Sequence, residues 1–239
     1  MPTAFKWQEK VGDSYIGINL STSRYCGDIS ERYNFSHLQL GWGAEVHVRR
    51  RLHERWCIMS ETGVYYVRAD QAYTKNAANH LSFSATNFSS VVSLRWDMLP
   101  VDDSNQRNIM YLFGGFGVTK MSPTTTLAGL SYSLPTFQTE GVAYNEWVGQ
   151  LLYGVGFPIS LTPSTQLSAQ GRYSHVLSDY LDDVSARYVD KSASPDIEKQ
   201  LADKRIANRL SPNPTTARRG NPEKNDGYFL FTLQLVYKF

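Results

Sequence analysis

Long apolar runs are missing from this chain of 239 residues. The longest uncharged, apolar-leaning stretch, Asn108 to Thr119, contains three glycines and falls well short of the roughly 20 residues a membrane-spanning helix needs. A helical membrane protein is excluded. An excess of one charge is missing too: 24 Lys and Arg face 22 Asp and Glu for a net +2, too mild for a nucleic-acid footprint. Cysteine is scarce, and the two present, Cys26 and Cys57, match neither a metal spacing nor a disulfide scaffold. Met1 to Gly12 carries Lys6, Glu9 and Lys10 and lacks the apolar segment of an export signal. An exported protein would therefore be represented here by a mature or truncated form. Apolar residues reach 41% and charged residues 19%, yet aromatics make up 13%, with fifteen tyrosines. Such a composition suits a soluble domain or a membrane β-barrel with aromatic girdles. A single domain over residues 1–239 is expected, because barrels of this length are commonly one unit.

Alternation with period two, which sends every second side chain to the same face of a strand, decides the fold class. Phe229, Phe231, Leu233, Leu235, Tyr237 and Phe239 share one face, with Thr232, Gln234 and Lys238 on the other. Leu167, Ala169, Gly171 and Tyr173 alternate with Gln166, Ser168, Gln170 and Arg172. Leu40, Trp42, Ala44, Val46 and Val48 alternate with Gly41, Gly43, Glu45, His47 and Arg49. Eight strands follow, near 14–26, 36–51, 54–69, 83–98, 108–121, 145–161, 164–178 and 227–239. All of them exceed the roughly 9 to 11 residues of a tilted membrane strand, and soluble strands are usually shorter. Short links at Leu52–His53, Leu99–Arg107 and Thr162–Pro163 alternate with longer ones at Gly27–Asn34, Asp70–Ser82, Ser122–Tyr144 and Asp179–Asp226. Brief periplasmic turns and long outer loops are the outer-membrane pattern. The expectation is an all-β, eight-stranded antiparallel up-and-down transmembrane barrel with long extracellular loops.

In such a barrel the polar face points inward, and at eight strands side chains fill the lumen. Glu45, Glu61, Arg95 and Arg172 fall on the polar phase and are expected to form interior ion pairs in a plugged barrel. The lipid-facing set is expected to include Trp42, Val46, Trp56, Ile58, Leu94, Trp96, Tyr153, Phe157, Phe231 and Leu233.

Other constellations carry weaker chemistry. Gly114-Gly115-Phe116-Gly117 is not followed by the helix a phosphate-cradling loop requires, and glycines inside strands mark close backbone approach. Ser174, His175, Ser178 and Asp179 are the sole hydrolase-like cluster, but Ser174 and His175 are adjacent in a strand and point to opposite faces. His47, His53 and His80 are too scattered for a metal set. Asp179, Asp182 and Asp183 offer hard oxygen ligands to calcium without a calcium-type loop. Ser194 and Pro195 are expected to start a lid helix running to about Asn208, and Ser211 to Asn225 to be irregular. Arg49, Arg50, Arg51 and Arg55 cluster at the inner rim, where they are expected to meet phospholipid headgroups or an acidic surface of a periplasmic partner.

The chain resembles the PorG-like outer-membrane proteins of the type IX secretion system of the Bacteroidota. The segments that carry the resemblance are Tyr25-Cys26-Gly27-Asp28, His80 to Phe83, Tyr111 to Gly117, Asp179-Tyr180-Leu181-Asp182-Asp183-Val184-Ser185, Tyr188 to Asp190, Arg219 to Asn221 and Asn225-Asp226. The resemblance implies a non-enzymatic component of a secretion machine in the outer membrane, surrounded by lipid and associated with the periplasmic PorK and PorN ring proteins. It supplies no catalytic residues, cofactor or metal. Tyr237 and Phe239, in the aromatic final strand shared by outer-membrane barrels generally, look like the signal read by the barrel-assembly machinery. Two departures stand out: no export signal, and Cys26 where an aliphatic residue is more usual. The alternative is a small OmpA- or OmpX-like barrel with adhesive or ligand-binding outer loops.

Overall fold

The computed structural model describes residues 9–30, 37–101 and 110–239. Eight long antiparallel strands make a closed ring. They are β1 (Ser14–Cys26), β2 (Leu40–Arg51), β3 (Trp56–Asp70), β4 (Ser82–Asp97), β5 (Tyr111–Lys120), β8 (Trp147–Ser160), β9 (Thr165–Val176) and β10 (Gly227–Lys238). Each pairs with its neighbour in the ring, and β10 closes on β1 from Tyr15↔Lys238 to Cys26↔Gly227. The expected strand ends agree to within a few residues; the starts placed at 36 and 108 lie outside the described residues.

The link expected over Ser122–Tyr144 is structured instead. Strand β6 (Pro123–Leu127) continues the line of β5 and pairs with the outer end of β4 through Ser84↔Thr124 and Ala85↔Pro123. A break at Met121–Ser122 separates the two, and the Ser122 N–H donates to Asn87 Oδ1 at 2.8 Å. Strand β7 (Leu130–Ser133) pairs back onto β6, and Ala128 and Gly129 between them both take positive φ, 49° and 82°. Two left-handed residues make the tight hairpin turn whose twist matches the strands. Alanine at the first of them hid this turn from pattern reading. Helix α1 (Leu134–Phe137) follows. The expected lid helix is two short ones, α2 (Asp196–Ala202) and α3 (Lys204–Ala207). Ser194 does not cap, and Pro195 stands at the N-cap position itself. The break lies at Asp203, which is extended and accepts the Arg205 N–H at 3.0 Å.

Burial alternates around the ring with period two. The outward set includes Ile18, Leu20, Val46, Phe116, Leu151 and Leu233, all at least half exposed, with Trp42, Tyr66 and Trp147 toward the outer end and Trp56, Trp96 and Tyr237 toward the inner. A closed ring leaves no unpaired edge in hydrocarbon, and the apolar band with aromatic margins matches the bilayer. The protein is an outer-membrane β-barrel.

Inside, side chains occupy the lumen level by level. At the inner end Glu9 pairs with Arg49 at 2.9 Å and with Arg51, and Asp97 pairs with Arg51 and Arg95, both at 2.7 Å. Arg49 and Arg95 also stack over the rings of Tyr15 and Tyr111. At mid-height Arg172 donates to Glu45 at 2.6 Å and Glu61 at 3.2 Å, and Asn19 and Gln234 donate to Glu61. Four arginines thus meet four carboxylates. Above them the stacked rings of Tyr65 and Tyr228 lie 4.0 Å apart, and Tyr228 donates to Gln150 at 2.7 Å. The strand glycines make room for this filling. A Cβ on Gly156 would fall about 2.1 Å from the Tyr111 ring, and one on Gly154 2.2 Å from the Gly171 carbonyl. They are spacers for close packing.

Candidate functional site

The outer mouth is closed by a folded cap made from loops that lie far apart in sequence. Its apolar part packs Ile29, Leu81, Leu134, Leu181 and Val184 against Tyr25, Tyr65, Val67, Phe83 and Leu230 on the strand ends. These loop residues are nearly inaccessible, so the cap is continuous with the barrel interior.

Two polar clusters pin the cap. In the first, the Tyr25 hydroxyl touches Asp182 Oδ2 at 2.5 Å and Asp226 Oδ1 at 2.7 Å, while the Leu181 N–H donates to Asp226 Oδ2 and the Val184 N–H to Asp182 Oδ1. A phenol has one proton. It can donate to one carboxylate only, so the other must itself carry a proton and donate to the phenol oxygen. Burial holds both Asp182 and Asp226 well above the ordinary carboxylate range, with Asp28 and Asp179 adding like charge nearby. Burial likewise pushes Asp179 up to about 7.

In the second cluster, Arg219 pairs with Glu140 at 3.0 Å and donates to the Asp183 carbonyl at 2.5 Å. Both oxygens of Glu140 accept backbone N–H groups, from Ser185 and Ala186 at 2.8 Å. Asp183 accepts from Tyr144 at 2.8 Å and from Thr139, and takes a left-handed φ of 66°. Nearby, Asp28 accepts the Asn221 N–H. The cap is held by charge-assisted hydrogen bonds.

The acidity of this cap carries a pH prediction. Carboxyls with raised native pKa values stabilise the fold fully below the ordinary carboxylate range and lose that contribution as pH rises through the raised values. The charged groups facing the Tyr25 pair are Asp28, Asp179, Asp182 and Asp226; Arg219 faces Asp183. Limited proteolysis within residues 177–226 should therefore be slower at pH 5 than at pH 8. An Asp226→Asn variant keeps its acceptor for Leu181 and gains a permanent donor to Tyr25, so it should remain protected at pH 8. Equal cleavage of the wild-type cap at both pH values would contradict the shared proton.

Arg172 meets Glu45 and Glu61, whereas Arg95 turns to Asp97, two residues along its own strand. The basic inner rim does not form one surface patch. Arg49 and Arg51 are 2% and 1% exposed and point into the lumen toward Glu9 and Asp97, so neither lies on a docking surface. Arg50 alone of that run faces outward and is exposed, and Arg55 is half-buried, donating to the Met98 carbonyl at 3.1 Å. The stretch Asp179-Tyr180-Leu181-Asp182-Asp183 builds the cap, with the Asp182 and Asp183 carboxylates in separate hydrogen-bond sets. Among the described residues the one convergent group of possible metal ligands is Glu9, Cys57 and Asp97, and three arginines already hold its carboxylates. Ser174 faces the lumen and His175 the outer surface, so the hydrolase-like cluster does not assemble. Tyr237 and Phe239 are exposed on the outer face of the terminal strand. Glu9 and Asp97, missed in the sequence, complete the inner charge layer.

No protein-family model matches this sequence, and no curated protein matches it either. Solved structures with a similar arrangement include Ail, the attachment invasion locus protein of Yersinia pestis, with a TM-score of 0.46 and 13% identity over 96% of this chain and 100% of that one. They also include Neisserial surface protein A, with a TM-score of 0.42 and 11% identity over 95% and 97% of the two chains. OprG of Pseudomonas aeruginosa gives a TM-score of 0.43 and 11% identity over 97% and 98%.

Proposed function

We propose that this chain is a non-enzymatic outer-membrane barrel whose folded cap is a rigid surface for binding at the cell exterior. The observation that carries this reading is the cap's construction: its loops are ordered by the Tyr25 and Arg219 clusters over a lumen filled with charged pairs. A preorganised surface lowers the ordering cost of binding. A filled lumen gives no reason to invoke transport.

A second reading has its own support. The segments resembling the type IX secretion proteins converge in space: Tyr25 contacts Asp182 and Asp226, Asp28 contacts Asn221, and Arg219 contacts Asp183. In this reading the barrel is an export-machine component in contact with PorK and PorN, and the exposed Arg50 with its neighbour Arg55 supplies the periplasmic contact. Photo-crosslinkers placed at exposed cap positions Leu130, Val142 and Leu210, and at Arg50 and Leu52 on the inner rim, distinguish the two in native membranes. A surface partner captured from the cap supports the first reading. Capture of PorK or PorN at the inner rim, lost in Arg50→Glu, supports the second. Absence of any adduct from the cap positions overturns the surface reading.

A further inference from the structure

A polar cleft of about 470 Å³ opens at the outer end of β3 and β4, beside the edge formed by β6. Arg68 lies on its wall, exposed, outward-facing and without an ion pair among the described residues. His37, stacked on Tyr73 with ring centroids 4.7 Å apart, forms the opposite side. Ser82 and Thr125 also line it.

A second cation stands behind these hydroxyls. Lys204 of α3 is buried, and its ammonium donates to Ser82 Oγ at 2.8 Å, to the Ser82 carbonyl at 3.4 Å and to Thr125 Oγ1. Every acceptor is neutral. A buried ammonium whose hydrogen-bond partners are all neutral is costly, and burial pulls Lys204 down to about 8, with Asp70 acting on it in the opposite sense from a distance. An ammonium has only donors, so Ser82 Oγ must accept from it and keeps its own proton to give elsewhere. Asp70 is the single carboxylate among the lining residues, and its Oδ1 is engaged by the Ala72 N–H at 2.8 Å.

The depth of the cleft indicates its occupant. Tyr66 stacks with Trp42 on the outward face, ring centroids 6.3 Å apart. Such aromatics mark the interface between hydrocarbon and headgroups. Arg68 is two residues farther out along β3, roughly 7 Å. We propose that the cleft binds a phosphate-bearing headgroup of an outer-leaflet lipid, with Arg68 and the Ser82 hydroxyl, backed by Lys204, as its donors. The phosphate supplies a directly bonded counter-charge where the protein offers only the more distant Asp70, and charge-assisted contacts of this type are the strong ones. The site is independent of what the cap binds.

Native mass spectrometry of the purified barrel in detergent tests the proposal, with diphosphorylated lipid A, dephosphorylated lipid A and inorganic phosphate as probes. The wild type should retain diphosphorylated lipid A. Arg68→Glu should bind it at least about tenfold more weakly, the scale of one lost charged hydrogen bond, and Lys204→Met should weaken it similarly. Because Arg68 is exposed, the first variant should fold normally, as heat-modified gel mobility would verify. Equal retention of the phosphorylated and dephosphorylated lipids, or of the phosphorylated lipid by wild type and Arg68→Glu, overturns the site. Displacement of bound lipid by millimolar inorganic phosphate would keep the anion site but overturn the lipid as its occupant.

Discussion

Arg172→Met should destabilise the whole barrel by about 3 to 5 kcal/mol, the usual consequence of removing one partner from a buried ion cluster. Among the described residues Arg172 is the sole cation bridging Glu45 and Glu61, and all three side chains are at most 2% exposed. Their remaining contacts, from Asn19 and Gln234 to Glu61, are neutral donors that do not replace a guanidinium. Urea unfolding of the barrel in detergent, followed by heat-modified gel mobility, reads the loss directly. Adding Glu45→Gln and Glu61→Gln to the variant should recover part of it, since the unpaired charges are then gone. A midpoint unchanged by Arg172→Met would mean that the lumen is wetter and more tolerant than its packing indicates.

Arg219→Met should have a similar local cost with a different outcome. Arg219 pairs with Glu140 and lies 3.7 Å from Asp183, and both carboxylates are almost fully buried. Here the damaged elements are loops. Local opening is governed by the contacts of the opening segment and not by global stability. The urea midpoint should therefore stay close to that of the wild type, while cleavage within residues 177–226 rises by about a hundredfold or more, the equivalent of roughly 3 kcal/mol. If the urea midpoint fell together with the loop protection, cap and barrel would be one cooperative unit.

Strand number and phase were legible because an outward-apolar, inward-polar wall repeats every two residues, as in Phe229 to Phe239. The same phase already placed Arg49 inward with Glu45 and His47. Reading Arg49, Arg50, Arg51 and Arg55 as one basic patch gave weight to density along the chain and overlooked that neighbours on a strand face opposite ways. Glu9 could not be seen, because it precedes the first strand and belongs to no periodic segment. The cap was illegible for another reason. Asp182 meets Tyr25 and Asp183 meets Tyr144 and Arg219, partners brought together only by loop folding. An acidic run reads as solvent-exposed or metal-seeking until its partners are known.

The staves of the barrel are unequal in height. Strands β3 and β4 run 15 and 16 residues, against 12 for β2 and β10, and the β6–β7 hairpin heightens the same flank. At about 3.3 Å per residue that flank forms a parapet along one side of the mouth. Bulky visitors such as immunoglobulins or phage tail fibres should accordingly meet that flank first, and their footprints should be lopsided, weighted toward the β3–β4 side instead of centred on the barrel axis.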